Sequence, residues 1–287
     1  MGSQINDPQE FVVLVTGFLP FRPQWPVNPS WEIAKGLPSH LPPLRAKDPD
    51  AREKVHPPPV RILVHPEPLR VNYKLVREAV PSFWDTYQGY KVDVVIHIGM
   101  TGPRTYYQIE RRAHRRGYRN ADVDLELPEE GTDGRPDDPD WIWHGLPDEI
   151  ISDLDIDDVH RRWQAYSSVR TKPLSFKVRL SVETLLTQVL GVIFFPPPPP
   201  LSEQKDMDLR ISENPGRFLC DWIYYCSLSH LLRSNRPKKA CFFHVPCDAS
   251  DESVLRGREL AINLVRAIAE SEMSAKQKEP ESNGVAE

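Results

Sequence analysis

Apolar residues along this chain fall into short, nearly unbroken blocks and longer stretches with helical spacing, and the two kinds alternate. Phe11 to Thr16 (FVVLVT), Val60 to Val64 (VRILV) and Val92 to Ile98 (VDVVIHI) are rich in β-branched residues and too short for typical helices. That is the pattern of strands covered on both faces of a parallel sheet. Ala240 to Val245 (ACFFHV), closed by Pro246, is a further strand, and Leu209 to Ile211 a shorter one. Between them, Trp31 to Leu37 reads as a short helix capped by Ser30. Tyr73 to Trp84 reads as a helix with Leu75, Val76, Ala79 and Val80 on its inner face. Ser181 to Leu190 is predicted as a helix with an imperfect capping box, Thr184 standing where an acid is preferred. In SENPGRFLCDWIYYCSL, Ser212 to Leu228, Asn214 supplies a cap and Pro215 the first helical position. Phe218, Leu219, Trp222, Ile223, Cys226 and Leu231 then recur at helical spacing. A last helix, Ser253 to Ile268, is capped by Asp251. Strands alternating with helices predict an α/β protein built on a mostly parallel, twisted sheet.

The rhythm breaks in three places. Residues 38–59 are Pro-rich, 126–173 are polar and acidic around Trp141, Trp143 and Trp163, and 195–208 contain the run Pro196 to Pro200. These read as loops inserted into one domain spanning 8–272, followed by a disordered charged tail at 273–287. At 287 residues and 39 % hydrophobic content the chain is long enough for one sizeable core. A net charge of −5 gives no reason to expect nucleic acid or an anionic membrane as partner. The one basic run, Arg111 to Arg119, meets Asp122, Asp124 and Glu126 at once, so its field cancels and it reads as a solvated surface. No apolar run approaches the length of about 18 residues needed to span a bilayer. Four cysteines without a signal peptide place the chain in a reducing, cytoplasmic compartment.

Cys220 carries the candidate chemistry because it falls near a helix N-terminus, where the helix dipole favours thiolate over thiol. His244, at the end of a strand, could take the thiol proton, since a cysteine and a histidine on separate elements are the pieces of a thiol nucleophile. From the residues alone, a buried core thiol and a structural histidine remain open. Glu110 could orient an imidazole or serve as an exposed structural acid. Zinc is disfavoured: strand alternation turns Cys241 and His244 to opposite faces, and no C-x-x-C pair is present. Phe18 and Phe21, just past the first strand, lie where an α/β fold places a ligand pocket. The glycines at 99 and 102 would let a ligand approach the backbone.

Three stretches in fixed order, VTGFLPF…VNPSWE, HIGMTGPRTYYQIERRAHRRGY and SENPGRFLC…FFHVP, resemble the pyroglutamyl-peptidase I family of cysteine peptidases. The insertions suggest a eukaryotic, fungal member. The resemblance covers Phe11 to about Ala269 and implies a three-layer α/β/α sandwich. It implies a triad of Cys220 as nucleophile, His244 as base and Glu110 as the residue orienting the imidazole, without metal or cofactor. The implied substrates are peptides blocked by an N-terminal pyroglutamyl group. Their lactam would lie against Phe18 and Phe21, with Asn28, Gly99, Met100, Phe218 and Leu219 shaping the site. Pro103, Pro215 and Asp221 depart from the family pattern, and Asp221 would oppose thiolate formation. The alternative is a catalytically inactive family member that binds peptides or partners. Oligomeric state is left open.

Overall fold

The computed structural model describes residues 10–43, 59–128, 141–168 and 207–278. The helix expected at 181–190 and the polyproline run lie outside the described residues. A six-stranded sheet has the order β2-β1-β5-β10-β6-β9. Its strands are β1 (Phe11–Thr16), β2 (Val60–Val64), β5 (Val94–Met100), β6 (Tyr107–Glu110), β9 (Leu209–Ser212) and β10 (Ala240–Val245). Strands β2, β1, β5 and β10 run parallel, β6 is antiparallel to β10, and β9 is parallel to β6. Two small ribbons lie outside it. One pairs β3 (Thr86–Tyr87) with β4 (Tyr90–Lys91), the other β7 (Arg112–His114) with β8 (Glu149–Ile151).

Every residue of β1, β5 and β10 is buried, because helices cover both faces. On one face α2 (Tyr73–Trp84) and α4 (Leu219–Arg233) pack Tyr73, Val76, Trp222 and Tyr225 against Leu14, Val95 and Phe242. On the other, α1 (Pro29–Ala34), α3 (Ile156–Ser167) and α5 (Asp251–Lys278) pack Ile33, Trp163 and Leu264 against Val13, Ile96 and Phe243. The layers are therefore helix, sheet, helix. Each fully buried large side chain in them contributes about 1.5–3 kcal/mol of transfer free energy.

Several local expectations change. Asn28, not Ser30, caps α1: its Oδ1 accepts the Ser30 N–H at 3.1 Å. Leu75 is exposed, and α2 instead turns Tyr73, Val76, Val80 and Phe83 inward. The helix carrying Cys220 starts at Leu219, so 214–218 form a loop in which Asn214 Oδ1 accepts the Gly216 N–H at 3.1 Å. Ser250, not Asp251, holds the start of α5 by accepting the Ser253 N–H at 3.3 Å. That helix runs to Lys278, well into the stretch expected as tail. The 126–173 segment is not only loop, since it contributes β8 and the twelve-residue α3.

The basic run is not a solvated surface either. Arg111 begins the turn out of β6, Arg112 to His114 form β7, and Ala113, His114 and Arg115 are buried. Arg111 holds Asp157 bidentately at 2.7 and 2.9 Å, and Arg115 pairs with Asp148.

Candidate active site

Strands β5 and β10 end side by side, with His244 paired to Gly99 on one side and to Gln108 of β6 on the other. Cys220 reaches this point as the second residue of α4, closer to the helix start than the sequence implied. Phe218 stands at the N-cap and provides no side-chain hydrogen bond to the first backbone N–H groups of α4, the turn that carries Cys220. Gly99 makes the approach possible. A Cβ there would lie 3.1 Å from Cys220 Sγ and 2.6 Å from Phe242 Cζ.

His244 is 3 % exposed, and its Nδ1 donates to Glu110 Oε1 at 2.7 Å. Burial alone would lower its pKa. The charge of the Cys220 sulfur, the hydrogen bond to it and the Glu110 carboxylate outweigh that and push it up to about 9. Glu110 is fully buried rather than an exposed structural acid. The same Oε1 also accepts Gln108 Nε2 at 2.6 Å, while Oε2 has no partner among the described residues. Tyr224 fixes the backbone beneath by donating its hydroxyl to the Glu110 carbonyl at 3.0 Å.

A cavity of about 260 Å³ opens over Cys220 and His244. Phe18, Phe21, Met100, Phe218 and Leu219 line it, together with Asn28 and Gly99. Phe21 and Phe218 face each other with ring centroids 5.7 Å apart, and Phe218 meets Tyr73 edge-on at 5.9 Å. Asn28 is committed to its own loop, donating Nδ2 to the Leu19 carbonyl at 3.0 Å and accepting from the Ser30 hydroxyl at 2.8 Å. Glu110 does not line the cavity; it stands behind His244.

Sequence reasoning missed Val71, Thr101, Arg104 and Gln108, which also line the cavity. Gln108 had a signal. Two residues before Glu110 on a strand, it shares Glu110's face by simple alternation.

No family model matches the chain. The chain is 25 % identical over 244 residues to pyroglutamyl-peptidase 1 of Homo sapiens, covering 84 % of this chain and 81 % of that protein. Pyrrolidone-carboxylate peptidase of Pyrococcus furiosus is 24 % identical over 234 residues, covering 82 % and 80 %. The crystal structure of Bacillus amyloliquefaciens pyroglutamyl peptidase I superimposes with a TM-score of 0.57 at 20 % identity, over 91 % of this chain and 98 % of that one. Over most of its length the chain is thus similar in sequence to pyroglutamyl peptidases, and it shares their fold.

The departures from the family pattern leave the cluster intact. Pro215 sits in the loop before α4, where Gly216 takes φ +93°, a conformation glycine adopts without cost. Asp221 turns away from the neighbouring thiol. Its carboxylate accepts His114 N at 2.8 Å, His114 Nδ1 at 3.0 Å and Arg217 Nη1 at 3.1 Å. Burial raises the Asp221 pKa, against the pull of these partners. Its charge is thus compensated within a closed group rather than set against the sulfur. Glu213, at the other end of the same loop, accepts Arg111 Nε at 2.8 Å and Arg112 Nε at 2.6 Å. Residues before and after Cys220 are therefore tied to residues 111–114. Cys241 packs into the core with Phe243 and Val245, on the face away from His244's ring contact with Phe242.

Proposed function

We propose that the protein is a cysteine peptidase that removes an N-terminal pyroglutamyl residue from peptides. The observation that carries this reading is a sulfur seated against Gly99, beside an imidazole whose far nitrogen is bonded to a buried carboxylate. An imidazole pKa raised to about 9 keeps the His244 ring protonated at neutral pH beside the Cys220 sulfur. The thiolate attacks the pyroglutamyl carbonyl, forming a C–S bond. The N–H groups at the start of α4 face the oxygen that gains charge. Breaking the C–N bond passes the His244 proton to the leaving amine. Neutral His244 then takes a proton from water, whose attack on the thioester releases pyroglutamate and restores the thiol pair.

The cavity chemistry fits a small, flat, uncharged lactam. Its acyl side is aromatic and carries no carboxylate that would hold a free α-amine. No observation favours a binding role without turnover. Free thiols at all four cysteines suit a reducing compartment such as the cytoplasm, and no described helix is long and apolar enough to cross a membrane.

The test is hydrolysis of a pyroglutamyl coumarin amide by the purified protein, with Cys220→Ala and an alanyl coumarin amide as controls. Turnover confined to the blocked substrate, and reduced by several orders of magnitude in Cys220→Ala, is expected. Absence of turnover by reduced, folded protein would overturn the reading.

A further inference from the structure

The cavity is chemically two-sided, and the strand order says which side is which. Phe18 and Phe21 follow β1, Gly99 lies on β5 beneath the sulfur, His244 lies on β10, and Gln108 and Arg104 come from β6 and the loop that enters it. Neighbouring strands are about 4.8 Å apart, so a line from the phenylalanines to Arg104 crosses the strands, passing Cys220 and then His244. In acyl transfer to a thiol the acyl group stays on sulfur, and the amine leaves with the imidazole proton. With the lactam among the phenylalanines, the residue after the scissile amide lies on the His244 side, toward Gln108 and Arg104.

Arg104 is exposed there and lines the cavity. Its Nη1 donates to Gln108 Oε1 at 3.4 Å, a long bond that leaves most of its five N–H donors free. Its guanidinium stands 5.5 Å from the Tyr106 ring, which also carries Arg210 at 3.8 Å. No carboxylate pairs with Arg104 among the described residues. The contrast with its neighbours is sharp: Arg111, Arg112, Arg210 and Arg217 each hold one. A second cation, Arg22, lies over Phe21 and Trp25 at 5.6 and 5.8 Å, also without a carboxylate among the described residues. An unpaired guanidinium on the leaving side of a slot lined by no carboxylate has the geometry to receive one.

We propose that Arg104 is a specificity-determining residue that selects pyroglutamyl peptides bearing a carboxylate on the residue after the pyroglutamyl group. That carboxylate is either the free α-carboxylate of a dipeptide or an acidic side chain. The proposal rests on the peptidase reading above. The arginine contributes binding on the leaving side and takes no part in the proton transfers.

The experiment compares kcat/KM for two matched pairs at low ionic strength, pGlu-Ala against pGlu-Ala-NH2, and pGlu-Asp-NH2 against pGlu-Asn-NH2. Charge-assisted hydrogen bonding predicts a preference of about tenfold for the charged member of at least one pair. The pair that shows it identifies the source of the carboxylate. In Arg104→Gln that ratio falls to about one, whatever happens to the absolute rate, and in wild type it shrinks as salt screens the exposed pair. Neutral peptides cleaved as fast as charged ones, or a preference that survives Arg104→Gln, overturn the proposal while leaving the peptidase reading intact. Cleavage of none of the four overturns both.

Discussion

At the scale of single residues, the tension lies in Glu110. Its Oε1 receives two donors, His244 and Gln108, and it is the carboxylate bonded to the imidazole. Glu110→Gln keeps the shape and an acceptor oxygen but removes that charge. Activity is expected to fall by about a hundredfold or more, as when a triad acid is neutralised. The pH profile supplies a second reading. His244 has its folded pKa raised, so rate that depends on imidazolium is present at neutral pH and is lost as pH rises through about 9. The same sign governs stability: the contribution is fully present below the ordinary imidazole value near 6.5 and disappears through about 9. In Glu110→Gln the alkaline limb of kcat/KM should move to lower pH. A limb that stays in place would mean that the carboxylate does not hold the imidazole proton.

At the scale of elements, the end of β5 is the tightest point. Gly99→Ala places a methyl 2.6 Å from Phe242 and 3.1 Å from the sulfur. Phe242 precedes Phe243 and His244 on a strand buried along its whole length, so relief requires β10 or the helix start to move. Overpacking of this kind costs about 1–3 kcal/mol, read as a lowered Tm, and kcat/KM should fall further than the stability loss explains.

Elements also show what the sequence could and could not reveal. The strands β1, β2, β5 and β10 are legible because burial on both faces leaves an apolar run no other structure would use. Strand β6 is not. Gln108 and Glu110 make Tyr107–Glu110 look polar, and it is buried only because β10 and β9 enclose it. Helix α3 hides for a related reason: Ile156, Val159 and Trp163 are its buried contacts in an otherwise charged stretch. Trp163 anchors it through a 2.9 Å bond from Nε1 to the Leu260 carbonyl and an edge-on contact with Phe243 at 5.4 Å. The extension of α5 past Ile268 rests on tertiary partners that local composition cannot announce, among them the Lys239–Glu272 ion pair. In the site, position alone marks Cys220 as a thiol near a helix start and His244 as an imidazole at a strand end, and only the family resemblance joins them with Glu110. The paired status of Asp221 is not legible, because its partners His114 and Arg217 are brought to it by two different elements.

At the scale of the molecule, the four thiols divide into two classes. Cys226 and Cys241 are buried in the two core layers, and burial pushes their thiol pKa values up, whereas Cys220 and Cys247 are half-exposed. Folded protein should therefore react with a disulfide reagent at Cys220 and Cys247 only, and denatured protein at all four. Blocking the cavity with a pyroglutamyl aldehyde should protect one of the two native thiols. Rapid labelling of all four in folded protein would contradict the placement of the core layers.

The residues on either side of Cys220 are fastened, through Glu213 and Asp221, to the short segment that follows Glu110. In mechanical language, thiol and carboxylate ride on one carriage. When the sheet breathes, a shift of that segment carries the sulfur and the carboxylate together, so thermal motion leaves their spacing buffered.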